Sequence, residues 1–105
     1  MVRQARFRIR LSDEDRIEVT MEKDAGDVVS FVVNYVATVG DKECSVVRYD
    51  THHGFPHKDI LRPDGSLDRK ESFGEQDLLA LVDLAIDDLK SHGETYRARF
   101  ERWRK

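Results

Sequence analysis

The stretch Val28-Val-Ser-Phe-Val-Val-Asn-Tyr-Val-Ala-Thr-Val39 decides the fold class. Phe31, Val33, Tyr35, Ala37 and Val39 occupy alternate positions, so the segment reads as a strand with one apolar face. Val32 and Val36 interrupt the other face, which makes the strand central and partly covered on both sides. Upstream, Asp24-Ala-Gly-Asp27 breaks the chain. Before the break, Ile17, Val19 and Met21 alternate with Glu18, Thr20 and Glu22. Earlier still, Arg6-Phe-Arg-Ile-Arg-Leu11 sends Phe7, Ile9 and Leu11 one way and its arginines the other. Paired antiparallel, these two strands set Arg6, Arg8 and Arg10 near the glutamates of the solvent face, a structural use that weighs against nucleic-acid binding. Downstream, Gly40-Asp41 supplies a tight turn into a strand at Lys42–Asp50, with Val46 and Val47 at its centre. Connections this short join antiparallel neighbours and make a meander.

The C-terminal third changes period. Ser72-Phe-Gly-Glu75 fits a capping box. Leu78, Leu79, Leu81, Val82, Ala85, Ile86 and Leu89 then recur at helical spacing. Gly93 reads as a C-cap or a hinge. Beyond it Tyr96, Phe100 and Trp103 form an aromatic stripe at i, i+4 and i+7. The stripe reads as a packed terminal helix or as an interface for another chain, since Trp, Tyr and flanking Arg are favoured binding anchors. The expectation is one α+β domain over residues 1–105. It comprises a four- or five-stranded antiparallel meander with one C-terminal helix, or a helix pair, on one face. Residues 1–50 supply the sheet, 51–71 a His-rich loop or hairpin, and 72–105 the helical segment.

Composition narrows the class. Hydrophobic residues are 39% and charged ones 37%, and no run approaches the roughly 18 apolar residues of a membrane span. No apolar stretch near Met1 reads as a signal peptide, so a cytoplasmic chain away from membranes is expected. Cys44 is the single cysteine, which rules out an internal disulfide and a Cys-based zinc finger and leaves an apolar role in a strand. Net charge is -3, yet the first ten residues carry four arginines and no acid. The C-terminal end is basic as well, with Arg97, Arg99, Arg102, Arg104 and Lys105 against Glu94 and Glu101, and two basic ends on an acidic body bind phosphate or neutralise the chain's own acids.

Between the fourth strand and the helix, His52, His53 and His57 lie within six residues, flanked by Asp50, Lys58, Asp59 and Arg62. Arg62-Pro-Asp-Gly65 reads as a turn, closing a short hairpin between Lys58–Leu61 and Ser66–Arg69. One reading of the loop is metal-independent cleavage of RNA, which requires no cofactor. Histidine serves as acid or base near neutral pH, so His57 is one partner and His52 or His53 the other. Asp50 orients an imidazole, while Lys58, Arg62 and Arg48 bind and stabilise the phosphate. A second reading is a metal site from His52, His53, His57 and a carboxylate of Asp50 or Asp59. A third is structural: the imidazoles and Asp50 bond the loop backbone. Outside the loop, His92 stands alone at an expected helix end.

The run Val47-Arg-Tyr-Asp-Thr-His-His-Gly-Phe-Pro-His57, followed by a capped amphipathic helix, resembles a group of small, largely uncharacterised prokaryotic proteins that includes TumE-type toxins of toxin–antitoxin pairs. Arg48, Tyr49, Asp50, His53, Gly54, His57, Ser72 and Phe73 carry the likeness, which covers about Val46 to Leu89. The resemblance implies a small intracellular toxin acting on RNA and held in check by an antitoxin protein. The alternative, from a different class, is a non-catalytic interaction module that binds another protein or forms a homodimer through Tyr96, Phe100 and Trp103.

Overall fold

A computed structural model describes residues 1–52, 54–74 and 76–104. Six strands, β1 (Val2–Arg10), β2 (Asp15–Asp24), β3 (Asp27–Val39), β4 (Lys42–Asp50), β5 (His57–Leu61) and β6 (Leu67–Ser72), precede one helix, α1 (Leu78–Trp103). The strands form a single antiparallel sheet in sequence order, an unbroken meander.

The α+β architecture with a C-terminal helix is as expected, but the sheet has six strands rather than four or five. The two extra strands are the hairpin that flanks Arg62–Gly65. Gly65 takes φ +86° there, and its N–H donates to the Arg62 carbonyl at 2.8 Å. The hairpin expected between Lys58–Leu61 and Ser66–Arg69 forms as β5 and β6, and it docks on β4 and so extends the sheet.

The apolar face of β3 lies against α1. Phe31, Val33, Tyr35, Ala37 and Val39 are all buried, joined by Ile17 and Val19 of β2 and by Leu81, Val82, Ala85, Leu89 and Phe100 of the helix. Val46 and Val47 are both buried although adjacent. The register shift between Tyr35 and Val36 leaves Val46 as an extra residue in β4, and such a bulge re-aims one side chain. β1, at the sheet edge, lies beyond the helix's cover, which leaves Phe7 exposed on the apolar side.

Two local expectations are corrected. The helix cap is Asp77, whose Oδ1 accepts from the Leu79 N–H at 3.0 Å. Ser72 ends β6 instead, opposite His57, and Glu75 lies outside the described residues. Gly93 neither caps nor breaks the helix; it is buried within one continuous α1 of 26 residues. An added Cβ there would sit 3.4 Å from the Tyr35 ring, an ordinary contact distance, so the helix lies over Tyr35 with room for a methyl group and little more. His92 is accordingly inside the helix, with Nδ1 3.0 Å from Asp88 Oδ1.

Candidate functional site on the open face

The pleat sends alternate residues to opposite faces, and the register aligns them into rows across the sheet. On the face away from α1, one row runs Arg6, Thr20, Val32, Asp50, His57 and Ser72. The next runs Arg8, Glu18, Asn34, Arg48, Asp59 and Lys70. The two rows meet at β4 and β5 in a cluster of four ionisable side chains.

Within the cluster His57 Nε2 lies 2.9 Å from Asp50 Oδ1 and 3.6 Å from Asp59 Oδ2. Arg48 reaches both acids, with Nε 3.1 Å from Asp50 Oδ2 and Nη2 3.4 Å from Asp59 Oδ2. The other ring nitrogen of His57, Nδ1, faces the Phe55 carbonyl at 3.2 Å. Asp50 Oδ1 also accepts from the His52 N–H at 2.9 Å, which holds the start of the loop turn. Asp50, His57 and Asp59 are each about 5–6% exposed, although no helix covers this face. Asp59 Oδ1 is buried with no hydrogen-bond partner among the described residues.

Beside the cluster, a groove of about 460 Å³ is lined by Gln4, Thr20, Glu22, Ser30, Val32 and His52, among others. It runs from the β1 edge to the loop. Among the described residues no side-chain hydrogen bond or ion pair reaches the guanidinium of Arg6 or Arg8, although the Arg8 charge is felt by Glu43. The expected neutralisation of these arginines by the β2 glutamates is therefore not made. Glu18 lies opposite Arg8 but pairs with Arg16 at 2.8 Å, and Glu22 accepts from Ser30.

Lys58 goes the other way. Flanked in sequence by His57 and Asp59, it points to the helix face, where its Nζ donates to the Tyr96 hydroxyl at 2.7 Å and lies 3.3 Å from Asp88 Oδ2. Tyr96 in turn donates to Asp88, as does Tyr49 at 2.7 Å. Burial works against the Asp88 charge, but the hydrogen bonds from Tyr49 and Tyr96 and the Lys58 ammonium outweigh it and hold the carboxyl below the usual carboxylate range. Burial likewise pulls the Lys58 ammonium down, and its bonds to Tyr96 and Asp88 more than restore it, raising it above the ordinary lysine value. Burial and the bond to Asp88 push the Tyr49 phenol up, which keeps it a neutral donor.

A family model described as a domain of unknown function, DUF7718, matches residues 2–105. The chain belongs to the DUF7718 family. No curated protein and no solved structure matches it.

In this DUF7718 chain the loop residues singled out from sequence separate into three groups. Asp50, His57 and Arg48 share the open-face cluster with Asp59, and His52 lines the neighbouring groove. Lys58 sits on the opposite face, and Arg62 binds Asp68 at 2.7 Å with its guanidinium 5.6 Å from the Trp103 ring centroid. His53 lies outside the described residues. The aromatic stripe packs inward: Phe100 is in the core, Tyr96 carries the Lys58–Asp88 network, and Trp103 stacks under Arg62 and Arg99. One contributor, Asp88, went unnoticed in the sequence. Asp88 carried a signal, since it interrupts the apolar stripe one residue before Leu89, where a helix facing a sheet has little use for an acid. The alternation reads Arg6 and Arg8 as partners of the β2 glutamates, and only side-chain geometry shows that no ion pair forms.

Proposed function

We propose that this DUF7718 protein acts on single-stranded RNA, as a small toxin-like ribonuclease, across the open face of its sheet. The observation that carries the reading is that Arg6, without a side-chain ion pair, shares a row with Thr20 and Val32 of the groove that ends at His52, with Arg8 two residues further along the same strand face. Residues two apart on one strand stand about 7 Å from each other on the same face, a repeat that suits successive phosphates of an extended strand. From Arg6 to the Asp50 position is three strand spacings, about 14 Å, so a few nucleotides bridge the arginines and the loop.

The roles follow from accessibility. Arg6 and Arg8 hold phosphates, while Arg48, Lys58 and Arg62 keep to their internal carboxylates. His52, exposed at the groove, takes the 2′-hydroxyl proton as that oxygen bonds to phosphorus and passes it to the departing 5′-oxygen as the P–O5′ bond breaks, leaving a 2′,3′-cyclic phosphate and a 5′-hydroxyl. His57 has both ring nitrogens engaged, and with Asp50 it positions the turn that carries His52. An antitoxin-type protein partner belongs to the same reading, as the factor that blocks this face.

Anisotropy with a labelled single-stranded RNA tests the interface. Arg6→Ala with Arg8→Ala is expected to weaken binding at least tenfold and to flatten the dependence of log K on log salt by about 1.4, two phosphates at about 0.7 each. His52→Ala should bind RNA normally and leave it uncut. No binding at low salt, or an arginine double variant indistinguishable from wild type, overturns the interface. Cleavage that survives His52→Ala removes that residue's role.

A further inference from the structure

We propose that Asp50, His57 and Asp59 form a binding site for one divalent first-row transition-metal ion, such as Zn²⁺, Co²⁺ or Mn²⁺. One ligand atom from each of the three residues falls within a set whose members are all within 4.8 Å of one another. With metal–ligand bonds of about 2.1 Å, neighbouring ligands stand about 3.0 Å apart in an octahedron and about 3.4 Å apart in a tetrahedron. The His57 Nε2 distances of 2.9 Å to Asp50 and 3.6 Å to Asp59 bracket those edges.

Three further features point to a cation. First, Nδ1 of His57 faces a main-chain carbonyl, that of Phe55, at 3.2 Å. A proton on Nδ1 there leaves the Nε2 lone pair directed between the two carboxylates, the arrangement that metal-bound histidines keep with their outer nitrogen. Second, Nε2 looks only at acceptors, so the contact is satisfied by a second proton or by a metal ion. Third, the Asp59 side chain is 9% exposed, yet its Oδ1 is buried and finds no hydrogen-bond donor among the described residues. An orphaned buried carboxylate oxygen is costly, and a cation bound by the same carboxylate offsets that cost.

Charge leads to the same conclusion. Arg48 offsets one of the two carboxylates and also orients them by bonding Oδ2 of each. With neutral His57 the cluster retains one uncompensated negative charge in a site shielded from water. One imidazole with two carboxylates suits first-row divalent ions and is a poor match for an all-oxygen calcium or magnesium cage. The site uses none of the residues that hold RNA in the preceding reading, so metal binding and RNA binding stand or fall separately.

The test is titration of the chelator-treated full chain with Zn²⁺, Co²⁺ and Mn²⁺, followed by calorimetry and, for Co²⁺, by visible absorption. One ion per chain is expected, with Mn²⁺ weaker than Co²⁺ and Zn²⁺. At about a hundredfold excess over Kd the thermal midpoint should rise by roughly 10 °C. Asp59→Asn, close to isosteric, should weaken binding at least tenfold, and His57→Ala should abolish it. His92→Ala, a control on the helix, should leave it unchanged. The Co²⁺ spectrum and stoichiometry are read on the unmutated chain, so a variant that fails to fold does not blunt the test. Absence of saturable one-to-one binding by all three ions overturns the proposal and assigns the cluster to an imidazolium held between two carboxylates. Wild-type affinity in Asp59→Asn overturns it equally.

Discussion

Tyr49 and Asp50 are neighbours in the chain and belong to two different sites on opposite faces of the sheet. The Tyr49 hydroxyl donates to Asp88 of the helix at 2.7 Å, whereas Asp50 Oδ1 lies 2.9 Å from His57 on the open face. The same split recurs one strand away, where Lys58 faces the helix and its neighbours His57 and Asp59 face the other way. The helix-side network clamps α1 to β4 and β5, and the open-face cluster bonds to Arg48 and to the loop backbone instead.

The clamp predicts a graded loss of stability. Tyr49→Phe keeps the ring packed near Phe73, with centroids 5.9 Å apart, and removes only the donor to Asp88. Denaturant unfolding should show a loss of about 1.5 kcal/mol, the usual worth of a hydrogen bond to a charged group. Asp88→Asn should cost more, about 3 kcal/mol, because it strands the mostly buried Lys58 ammonium without its counter-charge. Equal effects from the two variants would show that the charge pair adds nothing to the clamp.

The same residues set the pH response of stability. Asp88 is held below its unfolded value, so between the two values the unfolded chain binds more protons than the folded one. Its contribution is complete above about pH 3.9 and is lost as pH falls through the lower folded value. Lys58 is raised, so its contribution is complete below about pH 10.4 and is lost as pH climbs through the higher folded value. Thermal midpoints of wild type and Asp88→Asn, measured from pH 2 to 7, should therefore converge at the acid end. Parallel curves over that range would remove Asp88 from the acid response.

Gly93 yields a prediction of opposite sign to the usual core substitution. A Cβ there meets Tyr35 at 3.4 Å, an ordinary contact distance, and the residue lies in helical backbone. Gly93→Ala is expected to stabilise the protein by up to about 1 kcal/mol, from helix propensity. Gly93→Leu should destabilise it, since a larger side chain must displace the Tyr35 ring, and the pair of midpoints reads the helix–sheet clearance directly.

The start of the helix separates two capping assignments. Asp77→Ala should cost about 1 kcal/mol, because its carboxylate accepts from the Leu79 N–H at 3.0 Å. Ser72→Ala, at the end of the edge strand β6, should leave helix content unchanged by circular dichroism. The reverse order of effects would restore the capping box to Ser72.

Much of the fold was legible because the signals that specify it are local. Alternation in Phe31–Val39 and Ile17–Met21 identified the buried face of two strands, and Gly40-Asp41 and Arg62–Gly65 marked turns that the chain makes with positive φ at Asp41 and Gly65. The hairpin of the fifth and sixth strands was legible from its turn, but its docking on β4 was not. Residues 57–61 mix His, Lys and Asp with only two apolar side chains, so their composition resembles a loop, yet all five are buried once paired between β4 and β6. The helix start was misplaced for a related reason: Ser72 satisfies the capping pattern, but cross-strand pairing with His57 claims its backbone first.

By itself the sequence determined the α+β class, the antiparallel meander, the apolar faces of the central strands and the helical C-terminus, because periodicity and turn chemistry are written within a few residues. Tertiary structure alone decided which ionisable groups meet. Asp50, His57, Asp59 and Arg48 gather because register brings two strands side by side, and Lys58 parts from its neighbours because the pleat turns it towards Asp88. Whether Arg6 and Arg8 find acids also depends on where side chains reach across the sheet. Such pairings are set by contacts between residues distant along the chain, and no local pattern encodes them.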